Sequence, residues 1–241
     1  MEIFTGILFI DIETVSVQPT LHVLSEGLQQ EWTKKARLIN KMPDNAPDPA
    51  VVFEDKAGIY SEFAKIVCIS IGNMYNDGTT WKIRLKSLSG HDEQEILRNF
   101  SEIIEKMTTT YKEIRFCGHN IKEFDIPFIC RRFVINNISL PQPLQLSGKK
   151  PWEIHHLDTM EMWKFGDNKN FTSLSLLAQV LGIPSPKTDI DGSQVSRVYW
   201  DDGDINRISR YCMQDVYTTA KVFLRLKGIS EITLLPEYAD E

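Results

Sequence analysis

The chain has 241 residues, 42% of them hydrophobic and 25% charged, with a formal net charge of −6. That length suits one large α/β domain with a substantial core, and the acidic balance argues against a protein that holds long duplex nucleic acid by phosphate contacts alone. No apolar run approaches a membrane span, and the short run Gly6–Ile10 stops at Asp11 with no basic region before it, so a soluble cytoplasmic protein without a secretory leader is expected.

The predicted elements begin with a buried strand at Ile7–Ile12, followed by helical character over Leu21–Ile39 with a basic end at Lys34, Lys35 and Arg37. A loop is expected from Lys41 to about Ala57, because Pro43, Pro47 and Pro49 are hard to build into regular structure. Ala64–Tyr75 and Thr80–Lys86 read as strands joined through the turn signal Asn76-Asp77-Gly78. Asp92–Met107 is an amphipathic helix, with Ile96, Leu97, Phe100, Ile103, Ile104 and Met107 on one side. Glu113–Gly118 is a short strand and Phe124–Ile135 a helix that tolerates Pro127 near its start. A fifth strand is expected around His155–Thr159, then a short helix Ser173–Leu181 closed by Gly182 and Pro184. Ser185–Gly203 reads as polar and irregular, and Asp204–Leu226 as the last long helix, with Asp204 as N-cap and Gly228 beyond its end. This order implies a mixed sheet covered by helices in a single domain spanning 1–241.

Cys68, Cys117, Cys130 and Cys212 form no Cys-x-x-Cys pair and share no ligand spacing with the five histidines, so reduced buried thiols are expected and zinc is not. Carboxylates are the more informative residues. Asp11 and Glu13 lie two apart on the first strand and so point to one face, where their charges are unfavourable unless a cation neutralises them. A strand end emerging into water would also accommodate them. Asp125 opens a helix, where capping is its ordinary role, with His119 and Asn120 on the loop before it. Tyr211 and Asp215 are four apart on the last helix and share a face with Ile208 and Thr219, as an amphipathic rim also would. Each group alone is ordinary; the combination is not.

With Asp11-Ile12-Glu13-Thr14, Asn120-x-x-x-Phe124-Asp125 and Tyr211-x-x-x-Asp215 in that order, the chain resembles the DEDD superfamily of 3′-5′ exonucleases, in the subclass with tyrosine in the third motif. It is most similar there to the proofreading exonuclease domains of family-B DNA polymerases and their stand-alone bacterial relatives. The resemblance implies a ribonuclease H-like (DnaQ-like) α/β fold, a mixed five-stranded sheet flanked by helices. It also implies a segment at about 16–62 inserted relative to compact members, and no fused polymerase domain.

The same resemblance implies two divalent cations, Mg²⁺ or Mn²⁺, held by Asp11, Glu13, Asp125 and Asp215 on either side of a scissile phosphate. Tyr211 is then a catalytic residue that orients the attacking water rather than a base, since a free tyrosine titrates near pH 10. Thr14 is expected beside the terminal nucleotide, and Asn120 and Phe124 near the next, with core packing an equal alternative for Phe124. Asp158 is expected to give structural support, and Lys149, Lys150, Lys187, Ser193 and Arg197 are weaker candidates for the substrate path. The implied partner is a single-stranded 3′ end, DNA before RNA, hydrolysed to nucleoside 5′-monophosphates. An exoribonuclease trimming RNA or short oligonucleotides is the alternative. A non-catalytic binding module of the same fold is a distant one, since all four carboxylates and the tyrosine are present.

Overall fold

Ile7–Ser16 (β1) is buried along almost its whole length, as a central strand with apolar residues on both faces must be. The computed structural model describes residues 4–40, 47–167, 171–184 and 189–239, and β1 lies inside a six-stranded mixed sheet ordered β5-β4-β1-β2-β3-β6. The other strands are Ala64–Asn76 (β2), Trp81–Ser89 (β3), Arg115–Gly118 (β4), Leu157–Asp158 (β5) and Leu234–Tyr238 (β6). β1, β2 and β3 form an antiparallel meander, whereas β4 runs parallel to β1, β5 parallel to β4, and β6 parallel to β3. The β2–β3 turn is held by Asp77, whose Oδ1 accepts the Thr79 and Thr80 N–H groups at 2.9 Å.

β6 corrects the expected five strands. Its sequence contains Pro236, which argues against a strand unless it lies on an edge, and there it lies. A second correction concerns Lys41–Ala57. Residues 41–46 lie outside the described ones, but Pro49–Lys56 (α2) is a helix, because Asp48 caps it and Pro49 takes the first helical position, where its missing N–H costs nothing. A third concerns Ser185–Gly203. Residues 185–188 are not among those described, yet Gly192–Asp202 is continuously helical through Val195–Arg197 (α7) and a π-helical turn, burying Val195, Val198 and Tyr199.

One face of the sheet presents Leu8, Ile10, Ile12, Ile69 and Ile71 to helices Glu93–Thr110 (α3) and Asp125–Ile135 (α4). The other presents Ile7, Phe9, Met74, Ile83 and Leu85 to the long helix Ile205–Leu226 (α8) through Val216, Ala220 and Phe223. The segment between β1 and β2 packs Glu26–Asn40 (α1) and α2 around Trp32, whose indole N–H donates to the Pro49 carbonyl at 2.8 Å. It is tied to β1 where the Thr14 hydroxyl donates to the Gly58 carbonyl at 2.7 Å. A buried ion pair braces the layers: Arg132 on α4 grips Glu93 on α3 through Nε at 2.8 Å and Nη2 at 2.5 Å, and its Nη1 donates to the Ser61 carbonyl. No described helix is long and apolar enough to cross a membrane.

Candidate active site

Alternation along β1 decides where the first two carboxylates go. Asp11 and Glu13 continue the row of Ile7 and Phe9, so they turn toward α8 from the middle of the strand, beyond the point where β4 stops pairing. A β-bulge between Glu13 and Thr14 breaks the β1–β2 register just beyond them. On α8, Ile208, Cys212, Asp215 and Thr219 share the face turned toward the sheet, with Tyr211 beside it.

The third element is the loop between β4 and α4. β4 stops pairing at Phe9↔Cys117, which leaves the Ile12 N–H without a strand partner, and Asp125 Oδ1 accepts it at 3.2 Å. This bond plants Asp125 between Asp11 and Glu13 in the chain order of β1. The loop can come so close because Gly118 has no side chain: a Cβ there would stand 2.0 Å from Ile121 and 2.8 Å from the Ile10 carbonyl. Asn120 adopts φ 64°, a left-handed conformation that asparagine tolerates. Its loop is held from the other side by Asp158, which accepts the N–H groups of Asn120 (2.9 Å), Lys122 (3.1 Å) and Met160 (2.9 Å). Asp158 is therefore a positioning residue, as expected.

Asp11, Glu13, Asp125 and Asp215 thus converge from three elements. Burial pushes the Asp11 carboxyl well above its ordinary value, and the charges of Asp215 and Asp125 push it further. Glu13 is raised in the same way by burial, then by Asp11 and Asp215. Asp125 is raised by burial to about 7, even with the Ile12 N–H bonded to it. Asp215 is raised by burial to about 6, held from going higher by a hydrogen bond from Tyr211. None of the four makes an ion pair among the described residues. Carboxylates crowded together, Glu13 and Asp125 buried and Asp11 and Asp215 half-buried, without an ion-pair partner are a donor set that fits hard divalent cations. The Tyr211 phenol, pushed far up by burial and by Asp215, stays protonated at neutral pH and acts as a hydrogen-bond donor.

Two cysteines belong to this site and were not foreseen. The Cys212 thiol donates to Asp11 Oδ2 at 3.2 Å, and ligand atoms of Asp11, Glu13 and Cys212 all lie within 4.8 Å of one another. Cys68 pairs opposite Glu13 on β2 and bonds Ser87 at 3.1 Å. The signal for Cys212 was present in its spacing, four after Ile208 and three before Asp215.

The structure treats the expected substrate contacts unequally. Asn120 sits on the rim of the site with its amide oxygen buried and no hydrogen-bond partner among the described residues. The Thr14 hydroxyl is engaged with Gly58. Phe124 packs on Phe128 at 5.4 Å and against the α3–α4 core, so the packing alternative describes it. Lys34 pairs with Glu31, Lys35 with Glu62, and Lys150 stacks over Trp152. Ser193 bonds Asp191, Arg197 lies on α7, and Lys187 is outside the described residues.

Residues 59–241 match the family model described as "Predicted 3'-5' exonuclease related to the exonuclease domain of PolB". The chain belongs to that family. The matched span holds Asp125, Tyr211 and Asp215, while Asp11 and Glu13 precede it and join the site through the pairing of β1. Among solved structures, this family member is similar to the family B DNA polymerase from the hyperthermophilic archaeon Pyrobaculum calidifontis, with a TM-score of 0.58 and 16% identity. The likeness covers 92% of this chain but 24% of the polymerase chain, and it establishes the ribonuclease H-like fold of a polymerase exonuclease domain. No curated protein matches the sequence.

Proposed function

We propose that the protein is a divalent-metal-dependent 3′-5′ exonuclease that releases nucleoside 5′-monophosphates from single-stranded ends, DNA in preference to RNA. One observation carries this reading: four carboxylates, delivered by β1, α4 and α8, lie near enough to raise one another's pKa in a partly buried site, and none has an ion-pair partner among the described residues. Asp11, Glu13, Asp125 and Asp215 would hold the cations. When bound, two such ions lower the pKa of water and offset the charge developing on the leaving 3′ oxygen.

The chain's own groups do the rest. Water attacks phosphorus, the bond to the 3′ oxygen breaks, and that oxygen gains a proton. Tyr211, whose single O–H is given to Asp215 here, would turn that donor to the attacking water or to a phosphate oxygen when substrate is bound and so fix the line of attack. Asn120, positioned by Asp158, keeps a buried amide oxygen with no partner among the described residues, which would accept from the terminal nucleotide once its loop opens to the substrate. Thr14 and the bulge after Glu13 shape the wall on the β1 side.

The test is a time course on 5′-labelled single-stranded DNA and RNA of matched sequence, with Mn²⁺, with Mg²⁺ and with chelator. A ladder shortening from the 3′ end, lost in chelator and in Asp11→Ala, is the expected result. Internal cleavage, or full activity in Asp11→Ala, would overturn the proposal, and a faster RNA ladder would replace the DNA preference.

A further inference from the structure

The helix Thr159–Lys164 (α5) begins at Asp158, the residue that holds the Asn120 loop, and it ends at Phe165. Phe165 closes α5 in a left-handed conformation, φ 45°, where glycine is the usual residue, and its ring is 84% exposed. A second phenylalanine, Phe171, is 70% exposed one residue before Thr172. Both rings belong to segments tied to the Asn120–Asp125 loop, which sets them apart from the apolar residues exposed singly elsewhere on the surface. Trp152, also exposed, lies ahead of β5 rather than beyond its C-terminal end and is not part of this group.

Both rings are mounted on the second motif by specific bonds. The His119 imidazole contacts the Thr159 hydroxyl at 2.9 Å, and its Nε2–H donates to the Thr172 carbonyl at 2.8 Å, one residue from Phe171. Lys122 pairs with Glu161 at 2.7 Å, and Lys164 lies 3.9 Å from Glu123, so two ion pairs cross from the Asn120–Asp125 loop to α5. Asp158 ties the base of α5 to the same loop, and its charge is felt by Asp125. Phe165 stands seven residues beyond Asp158, about 10 Å along the axis of α5. Rings mounted at the end of α5 and beside Thr172, rather than among the four carboxylates, are placed for the chain of a polymer and not for the bond being cut.

We infer that Phe165 and Phe171 are a stacking platform for upstream bases of the single strand, delivering its 3′ end past Asn120 to the carboxylates. The inference rests on the exonuclease reading above and adds a substrate-binding element to it. The two mounting cations are already paired with acids, so binding at this platform comes from π-faces rather than phosphate charge. It is therefore insensitive to sequence and depends on the presence of bases.

The test uses the full chain with Ca²⁺ and a 5′-fluorescein single-stranded oligonucleotide, read by anisotropy. Phe165→Ala and Phe171→Ala should each weaken binding about 5–150-fold, with the smaller loss for whichever ring meets its base less squarely. Phe165→Tyr should bind as the parent does. Both alanine variants should hydrolyse the p-nitrophenyl ester of thymidine 5′-monophosphate at the parent rate, because that substrate has no upstream base. Unchanged oligonucleotide affinity in both alanine variants would overturn the platform and leave the rings to a protein partner. An equal loss on an oligonucleotide with abasic upstream sites would also overturn it, since stacking would not be involved. A parent protein that neither binds the oligonucleotide nor cleaves the ester fails the exonuclease reading itself, whereas cleavage with unaffected variants fails the platform alone.

Discussion

Replacing Asp215 by asparagine should make the metal-free protein more stable while abolishing its activity. Asp215 is held at about 6 against an ordinary 3.8, so its folded-state pKa is raised. A group raised in this way contributes fully below its unfolded value, and that contribution is lost as pH rises through the folded one. Near pH 8 the ionised carboxylate therefore works against the fold. The difference corresponds to a ceiling on the order of 3 kcal/mol, and some of it is offset because Tyr211 hydrogen-bonds the charged form. Asparagine keeps the shape and an acceptor for Tyr211 but carries no charge, and it also relieves Asp11 and Glu13 of a negative neighbour. A net gain of about 1–3 kcal/mol in a chain of this size raises the melting temperature by roughly 2–12 °C. The assay is thermal unfolding by circular dichroism in chelator, parent against variant, from about pH 4.5 to about pH 8.5. The two curves should converge at the acid end and separate toward the alkaline end. Added Mn²⁺ should raise the parent's midpoint and leave the variant's nearly unmoved. A variant less stable than the parent at pH 8, or a gap that does not widen with pH, would refute the argument that these carboxylates repel one another in the empty site.

Three further outcomes are expected. Arg132→Ala leaves Glu93 buried without its guanidinium and should cost about 3–5 kcal/mol in urea denaturation. Replacing both partners with apolar residues of similar volume should cost much less. Tyr211→Phe removes one donor and should lower kcat about 10–150-fold while the Mn²⁺-induced melting shift persists, which separates orientation from metal binding. Asp158→Ala frees the N–H groups of Asn120, Lys122 and Met160, and should cost on the order of 2–3 kcal/mol. Its effect on KM for oligonucleotides should exceed its effect on the metal-induced shift, since the residue positions the Asn120 loop and does not join the carboxylates.

Much of this site could be read before any coordinates, because its chemistry is short-range. Strand alternation puts Asp11 and Glu13 on one face, and helical spacing does the same for Tyr211 and Asp215. Asp204 marked the start of the last helix as its N-cap, where the chain uses it, and the helices expected from Asp92 and Ser173 start beside those residues, which cap them. The misreadings share one cause. Pro49 was counted as a breaker, but a proline at the first helical position is compatible with a helix once Asp48 caps it. The 192–202 segment looked irregular because it is polar outside, and its few apolar residues matter only where Val15, Cys68 and Ile208 wait for them. Leu234–Tyr238 becomes a strand only because β3 leaves an edge open to it.

Residue types and their local periods, then, determined which groups carry the chemistry and which face each would take. Tertiary structure alone decided what those groups meet: the Ile12 N–H that β4 leaves for Asp125, the thiol of Cys212 against Asp11, and the bonds from His119 and Asp158 that mount α5 and Phe165 beside the site. The physical reason is range. A side chain's direction follows from the dihedral angles of a few neighbouring residues. The partner at the end of it is set by contacts between segments a hundred residues apart, and no local pattern encodes those.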